Sequence, residues 1–300
     1  MKRVYSIIVV LLAALSVTLP QSVDAAAPTK ASAPAKSTVP AKKGTKAQPP
    51  SAVGQLLEAI RKRGTIVVGI APQVPWVIRD PAGEWQGYEI DVARQLASDL
   101  GVELALVRVP FVQLTDALAD GRVDIVSAGY SITPQRALVV DFSNPYATSE
   151  MQVVARADLA RRDLSDLNRA DVTLGARTGG TTETTARARF PQAKIMTFPT
   201  ERALYEALKG EQLDGALAYV PRTSVAVAQS EGKLAVMPSA RLPHTVEAFA
   251  IRKGEQPLLN FLNAWIAYWK ADGWLDERRR YWFESLDWTT RFNHEAGATK

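Results

Sequence analysis

Hydrophobic and polar positions along residues 54–151 follow a regular order of helix and strand patterns. Apolar residues at helical spacing predict helices over Gln55–Arg63, Tyr88–Leu100 and Phe111–Ala119. Short apolar runs predict strands over Thr65–Ile70, Glu103–Val109 and Val123–Ala128. This alternation predicts a parallel sheet with helices on its faces.

The same order of patterns returns over 151–237, which predicts a second α/β unit. Its strands are predicted at Met151–Ala155, Val172–Ala176, Lys194–Phe198, Gly215–Val220 and Leu234–Met237. Its helices are predicted at Leu164–Leu167, Thr182–Arg189, Glu201–Lys209 and Pro221–Gln229. An extended segment, Thr245–Ile251, is followed by two aromatic-rich helical patterns, Pro257–Asp272 and Leu275–Phe283. We expect these helices to pack on the first unit; a ligand or membrane surface is the alternative.

The N-terminus has the pattern of an export signal. Lys2 and Arg3 precede an apolar run, Ile7–Leu15, and small residues lead up to Ala25. This order predicts a signal peptide over residues 1–25, with a membrane anchor as the alternative. Residues 26–52 are rich in Ala, Pro and Lys, and we expect a disordered linker because they hold too few apolar side chains to offset the entropy of ordering. The chain has no cysteine, which excludes disulfides and a lipid-modified cysteine.

The net charge of +5 is concentrated in the N-terminal segment. Of the 36 Lys and Arg and the 31 Asp and Glu residues, seven basic residues and one acid fall within 1–53. The remaining 29 basic and 30 acidic residues nearly cancel. The folded part therefore gives no electrostatic reason to expect a nucleic-acid partner.

One arginine stands at an unusual place in the first unit. A predicted strand runs into small and hydroxyl residues, including Gly129 and Ser131, and Arg136 follows. Thr133 suits an N-cap and Pro134 a first helical residue, so Arg136 falls in a first helical turn. A cation in the first helical turn interacts unfavourably with the helix dipole, and a nearby anion would compensate this cost. Backbone donors, a hydroxyl and a guanidinium at the carboxyl end of a strand suit a small carboxylate, although a solvated arginine is the alternative.

A Gly-Gly turn before a predicted helix of the second unit is another candidate anion site. Thr181, Thr182 and Glu183 follow the glycines, so backbone N–H groups lie at a helix N-terminus. A plain strand–helix turn capped by Thr181 is an equal alternative. Trp76, after the first strand, is placed to stack on a ligand, but a lone aromatic is more often core. The sequence has no metal-site, nucleophile-elbow or dinucleotide-binding signature, so we expect no metal or cofactor.

Together these motifs resemble the periplasmic solute-binding proteins of polar amino-acid ABC transporters, the family 3 extracellular solute-binding proteins. The resemblance spans about residues 55–285 and is most specific in the run DGRVDIVSAGYSITPQRALVVDFSNPY, which ends at Tyr146. It implies the type II periplasmic-binding fold, an α/β fold in which two lobes are joined by two crossing hinge strands. The implied boundaries are 54–150 plus 250–288 for lobe one, 153–244 for lobe two, and hinges near 151–155 and 246–251.

The resemblance also implies a ligand site in the cleft between the lobes. Its implied residues are Arg136, Ser131, Gly129, Thr181, Thr182, Trp76, Tyr219 and Glu183. Arg136 would bind the ligand α-carboxylate, and Trp76 would line the side-chain pocket. Tyr219 departs from the family pattern, which has an aspartate here that pairs with the ligand ammonium. Because a neutral phenol cannot compensate a buried ammonium, either another acid such as Glu183 or Glu89 replaces it, or the ligand is not a standard α-amino acid.

The function that the resemblance implies is capture of a small carboxylate-bearing ligand in the periplasm and its delivery to an inner-membrane ABC permease. We expect a monomer that is not a lipoprotein and not an enzyme. One alternative is a cyclohexadienyl or arogenate dehydratase on the same fold, with Glu183 as general acid. A second alternative is a sensor input domain that acts in trans on a membrane receptor.

Overall fold

The computed structural model describes residues 54–160, 163–237, 242–285 and 287–289. The predicted signal peptide and linker, residues 1–52, lie outside the described residues. Across the described ranges, no helix combines the length and the apolar character needed to cross a bilayer.

Strands and helices alternate through most of the described chain. The strands are β1 Thr65–Ile70, β2 Ile78–Arg79, β3 Trp85–Gln86, β4 Glu103–Arg108, β5 Ile125–Val126, β6 Val140–Phe142, β7 Ala147–Arg156, β8 Thr173–Arg177, β9 Lys194–Phe198, β10 Gly215–Tyr219, β11 Leu234–Val236, β12 His244–Glu247 and β13 Ala250–Arg252. The α-helices are α1 Leu56–Arg63, α2 Tyr88–Leu100, α3 Leu114–Ala119, α4 Pro134–Ala137, α5 Thr181–Arg189, α6 Glu201–Lys209, α7 Arg222–Ala228, α8 Gln256–Asp272 and α9 Trp274–Arg280. Short 3-10 helices at Phe111–Gln113 and Leu164–Leu167 and a π-helical turn at Tyr281–Ser285 lie between them or follow them.

The first sheet combines strands from both ends of the described chain, in the order β4-β1-β5-β13-β6. Strand β1 is parallel to β4 and β5, whereas β13 is antiparallel to β5 and β6. Because β1, β4 and β5 run in the same direction, their carboxyl ends meet at one edge of the sheet. Open α/β sheets bind ligands at that edge.

The second sheet has the order β11-β7-β10-β8-β9. Strands β8, β9 and β10 are parallel, and β7 is antiparallel to both β10 and β11. The turn that follows β8 leads directly into α5, so a helix N-terminus lies at the carboxyl edge of this sheet. Loops and helix N-termini therefore lie at the carboxyl edge of each sheet.

Two chain segments connect the sheets side by side. The first four residues of β7, Ala147–Glu150, pair with β12, and the rest of β7 continues into the second sheet. The return segment leaves β12 at Glu247 and enters the first sheet as β13. The Tyr146 N–H donates to the Glu247 carbonyl at 3.0 Å. The connection between the sheets is thus an antiparallel pair of extended segments.

The two C-terminal helices α8 and α9 pack on the first sheet. Their apolar side chains Leu258, Leu262, Trp265 and Leu275 share a cluster with β1 and α2. The Trp265 and Trp269 indole N–H groups both donate to Asp99 at the end of α2, each at 2.7 Å. One carboxylate therefore fixes the position of α8 along α2.

The strand patterns misplace two features. Thr245–Ile251 was predicted as one extended segment, but it divides into β12 and β13 because its halves pair in different sheets. The predicted strand Val123–Ala128 shortens to β5, and beyond it the Ser127 hydroxyl and the Gly129 N–H donate to the Glu89 carboxylate. The hairpin of β2 and β3 was not predicted, since two-residue strands are too short to show a pattern.

Replacing Asp99 should loosen the C-terminal helices. We expect Asp99→Ala to lower the free energy of unfolding by about 1–2 kcal/mol, because two indole donors lose a charged acceptor at a partly exposed site. Urea unfolding measured beside Ser98→Ala, an exposed neighbour on the same turn, checks this. Equal stability of the two variants would contradict the proposed role of Asp99.

Candidate functional site

Side chains from the carboxyl edges of both sheets meet around one small cavity. Its lining includes Phe111, Gly129 and Ser131 from the first lobe and Arg177, Thr181 and Tyr219 from the second. Its volume is about 20 Å³ for the centre of a water-sized sphere, which is room for about one water molecule. The lobes are therefore in contact here, and a larger ligand requires them to separate.

Glu89 holds the loop that follows β5. Its buried carboxylate accepts hydrogen bonds from the Ser127 hydroxyl, from the Gly129 N–H at 2.6 Å and from the Tyr146 hydroxyl at 2.7 Å. Burial raises the pKa of Glu89, and these hydrogen bonds oppose the rise. Its oxygens are engaged inside lobe one, so Glu89 positions the loop and is not placed to bind a ligand ammonium.

Gly129 has to be glycine at its position in this loop. Its φ of +59° lies in the left-handed region, and a Cβ there would lie 2.9 Å from the Trp76 ring. Trp76 itself is 2% exposed and packs edge-on against Tyr88 and Phe283. The structure thus places Trp76 in the core beneath the loop and outside the cavity lining. The expected ligand-stacking role is not met in this arrangement, because the indole is enclosed by aromatic side chains.

Arg136 lies between the lobes. Its backbone N–H donates to Thr133 Oγ1 at 3.2 Å, as the N-cap pattern predicts. Its Nη1 donates to the Ser131 carbonyl at 2.7 Å, and its Nη2 donates across the cleft to the Gly179 carbonyl at 3.2 Å. The guanidinium lies 4.0 Å from the centre of the Tyr130 ring. Burial lowers its pKa, and the partners named here are neutral oxygens and a ring face.

The Gly-Gly turn brings two of its predicted residues to the cavity. Thr181 shares a hydrogen bond with the Tyr219 hydroxyl, and Thr182 Oγ1 accepts from the Arg177 N–H at 3.3 Å. Glu183 turns back on its own helix, where it accepts from the Gly179 N–H at 2.9 Å and from Arg187 at 3.0 Å. Thr181, Thr182 and Tyr219 therefore line the cavity, and Glu183 does not.

Arg177, the last residue of β8, was not identified from the sequence. It is 7% exposed and lines the cavity. Its Nη1 donates to Gln73 Oε1 at 2.6 Å, and its Nη2 donates to the Pro72 carbonyl at 3.3 Å, both on the first lobe. The available signal was a charged residue at the carboxyl end of a predicted strand, directly before the Gly-Gly turn.

Residues 66–285 match the family model of bacterial extracellular solute-binding proteins, family 3. The chain belongs to this family. The L-cystine-binding protein TcyJ of Escherichia coli K12 is 28% identical to this solute-binding protein over 231 residues, 76% of this chain and 86% of that protein. Cyclohexadienyl dehydratase of Pseudomonas aeruginosa is 27% identical over 217 residues, 70% of this chain and 79% of that protein.

A solved structure extends the comparison to the fold. The ancestral amino acid-binding protein AncCDT-1, a precursor of cyclohexadienyl dehydratase, is 33% identical. It aligns with a TM-score of 0.70 and covers 76% of this chain and 99% of its own. The family and the α/β type II periplasmic-binding fold predicted from the sequence are thereby confirmed.

Glu247, a second residue that was not identified from the sequence, contacts Ser131 next to the cavity. It ends β12, where it is 1% exposed and accepts from Thr245 Oγ1 at 2.6 Å and from Ser131 Oγ at 3.4 Å. Burial raises its pKa to about 7; the hydroxyls of Thr245, Ser149 and Ser131 oppose the rise, and Glu89 adds to it. An acid within an otherwise apolar extended segment was the available signal.

The described residues of this solute-binding protein contain no group of three or more His, Cys, Asp or Glu side chains placed to hold a metal ion. The chemistry of the cleft is that of guanidinium, hydroxyl and carboxyl groups.

The raised pKa of Glu247 predicts a pH-dependent stability. Between its ordinary value of 4.5 and about 7 the folded state keeps a proton that the unfolded state has released, so stability falls as the pH rises. Glu247→Gln lacks this titration. We expect the free energy of unfolding of the variant, minus that of the wild type, to increase by up to about 3 kcal/mol from pH 4.5 to 8. Urea titrations across this range check it, and a constant difference would contradict it.

Proposed function

We propose that this protein captures a small carboxylate-bearing solute, an amino acid or a related molecule, between its lobes for import by an ABC transporter. The observation that carries the proposal is Arg136. Its guanidinium lies at the junction of the lobes and donates to two neutral carbonyls, Ser131 on one side and Gly179 on the other. A carboxylate offers charged acceptors in a matching fork geometry, which form the stronger hydrogen bonds.

The proposed mechanism is hinge closure on the ligand. In an open form, the ligand carboxylate would meet Arg136 and the Ser131 hydroxyl on lobe one. Closure along the paired segments of β7 and β12 would then bring Thr181 and Tyr219 of lobe two onto it. The proposed boundaries are 54–150 plus 250–288 for lobe one and 153–244 for lobe two. No covalent bond changes in this cycle.

An amine on the ligand would need an acid in place of the aspartate that Tyr219 replaces. The carboxylates of Glu89 and Glu183 are held by partners within their own lobes. Glu247 contacts the Ser131 hydroxyl at the hinge, and Thr245 links it to the neighbourhood of Tyr219. We therefore favour Glu247 as the group that compensates a ligand ammonium.

The proposed place of action is the periplasm, with an inner-membrane ABC permease as the partner. Membership of a family of extracellular binding proteins supports this location. The proposed cycle needs one chain only, since both lobes contribute to the cavity. Docking of the closed form to the permease would complete transfer.

A dehydratase activity is the second candidate, and likeness to cyclohexadienyl dehydratase favours it. The activity would need Glu183 to act as a general acid on a substrate in the cleft. In this structure Glu183 instead contacts Arg187 and the Gly179 N–H. Prephenate offered to the purified protein separates the two functions: phenylpyruvate formation that Glu183→Gln abolishes would establish the enzyme.

Loss of Arg136 should abolish ligand binding and leave the fold intact. A ligand found by a thermal-shift screen of amino acids and small carboxylates should raise the melting temperature, because it binds the native state alone. We expect Arg136→Ala to weaken that ligand at least about 100-fold, since two charged hydrogen bonds are lost. Titration calorimetry measures the affinity, with Arg122→Ala, an exposed arginine of lobe one, as the control. Unchanged affinity in Arg136→Ala would place the site elsewhere.

A further inference from the structure

Two guanidinium groups lie against Phe111, whose ring lines the cavity: Arg177 lines the cavity itself, and Arg136 lies next to Phe111. The Arg177 guanidinium carbon lies 4.3 Å from the centre of the Phe111 ring, and that of Arg136 lies 5.3 Å from the same centre. Because both guanidinium carbons lie close to the same ring centre, they also lie close to each other. They approach the cavity from different lobes, since Arg136 starts from α4 and Arg177 ends β8.

Neither guanidinium has an ion-pair partner among the described residues. The hydrogen-bond acceptors of Arg177 are a side-chain amide and a carbonyl, and those of Arg136 are two carbonyls. Within the described part of the chain, Arg177 Nε is buried and has no hydrogen-bond partner. A buried cation that is left without an anion costs several kcal/mol, and Arg177 is such a buried residue, so the pair of guanidiniums favours a ligand that brings negative charge.

One buried acid in the cavity lining does not balance these charges. Glu201 lines the cavity, its Oε2 has no hydrogen-bond partner among the described residues, and its charge acts on Arg177 and also on a half-buried arginine, Arg222. Arg222 lies 4.8 Å from the centre of the Tyr205 ring, and its Nε likewise has no partner among the described residues. One carboxylate is thus shared by Arg177 and Arg222, and Arg136 is left over.

We infer that the ligand of this cleft is a small dicarboxylate, with one carboxylate bound by Arg136 and the second bound by Arg177. This inference rests on the proposed function and adds the chemical class of the ligand. The second carboxylate would accept from Arg177 Nε and exchange the neutral acceptors of its guanidinium for charged ones. A neutral ligand side chain leaves the Arg177 Nε donor without an acceptor, and a cationic one adds a like charge next to both arginines.

The dicarboxylate has two possible sources, and binding separates them. L-glutamate and L-aspartate carry an amine, whereas glutarate and succinate do not. If Glu247 holds an ammonium, the amino acids bind more tightly than the plain diacids, and Glu247→Gln removes that preference. The second carboxylate site is supported whether the amino diacids or the plain diacids bind more tightly. The requirement is that both groups of diacids bind more tightly than the monoamides L-glutamine and L-asparagine.

The test is titration calorimetry with each diacid and its monoamide. We expect the wild type to prefer the diacid by about 100-fold, the value of one charged bidentate contact. In Arg177→Gln we expect this ratio to fall to within a few fold of one. Because both ligands are measured on the same sample, the ratio is unaffected by any loss of folded protein. Arg177→Lys, which keeps the charge and loses the fork, should give an intermediate ratio.

Arg202→Gln is the matched control, since this exposed arginine starts the same helix as Glu201 and lies outside the cavity lining. Its diacid-to-monoamide ratio should equal that of the wild type. A neutral or cationic amino acid that binds more tightly than every diacid, with affinity dependent on Arg136 and unchanged in Arg177→Gln, overturns the dicarboxylate inference and leaves the proposed function standing. Diacid binding that is unchanged in Arg136→Ala overturns the proposed site as well.

Discussion

A guanidinium group remains charged when it is buried, so its surroundings have to supply negative charge or strong acceptors. In this cleft Arg136 and Arg177 share one phenyl ring, Phe111, and receive only neutral acceptors from the residues described. Burial is the main cause that lowers the pKa of Arg177; Glu201 raises this pKa, and the like charge of Arg136 lowers it by a smaller amount. We infer that an anionic ligand would offset this repulsion between the two guanidiniums.

The scaffold fixes the direction of both cations. Thr133 caps α4 and the Ser131 carbonyl holds one guanidinium, so Arg136 faces the other lobe. The end of β8 and the bond from its own N–H to Thr182 orient Arg177 toward the first lobe. Because each arginine already contacts the opposite lobe, the side chains that would bind ligand also hold the lobes together. In the proposed mechanism, ligand recognition and lobe closure would therefore depend on the same two side chains.

Local patterns predicted most of the fold and one half of the candidate site. The N-cap of Arg136 and the turn before Thr181 are encoded within a few neighbouring residues, so the sequence alone located them. Arg177 and Glu247 were missed because their partners are distant in sequence: Gln73 lies 104 positions from Arg177, and Ser131 lies 116 positions from Glu247. The periodicity of hydrophobic residues along the chain does not reveal contacts between residues so far apart in sequence. The division of Thr245–Ile251 between two sheets was missed for the same reason, since only tertiary pairing distinguishes its halves.

The neutral contacts of the two arginines bear on how a ligand would control the lobes. The acceptors that the two arginines reach across the cleft are the carbonyl of Gly179 and the side-chain amide of Gln73, and these are weaker partners than carboxylates. A ligand can shift the equilibrium only by its difference in affinity for the open and closed forms. An anion that touches one lobe stabilises both forms about equally. A ligand with two anionic groups, one for each arginine, would gain its second charged contact only when the lobes close around it, so that contact would favour the closed form over the open form.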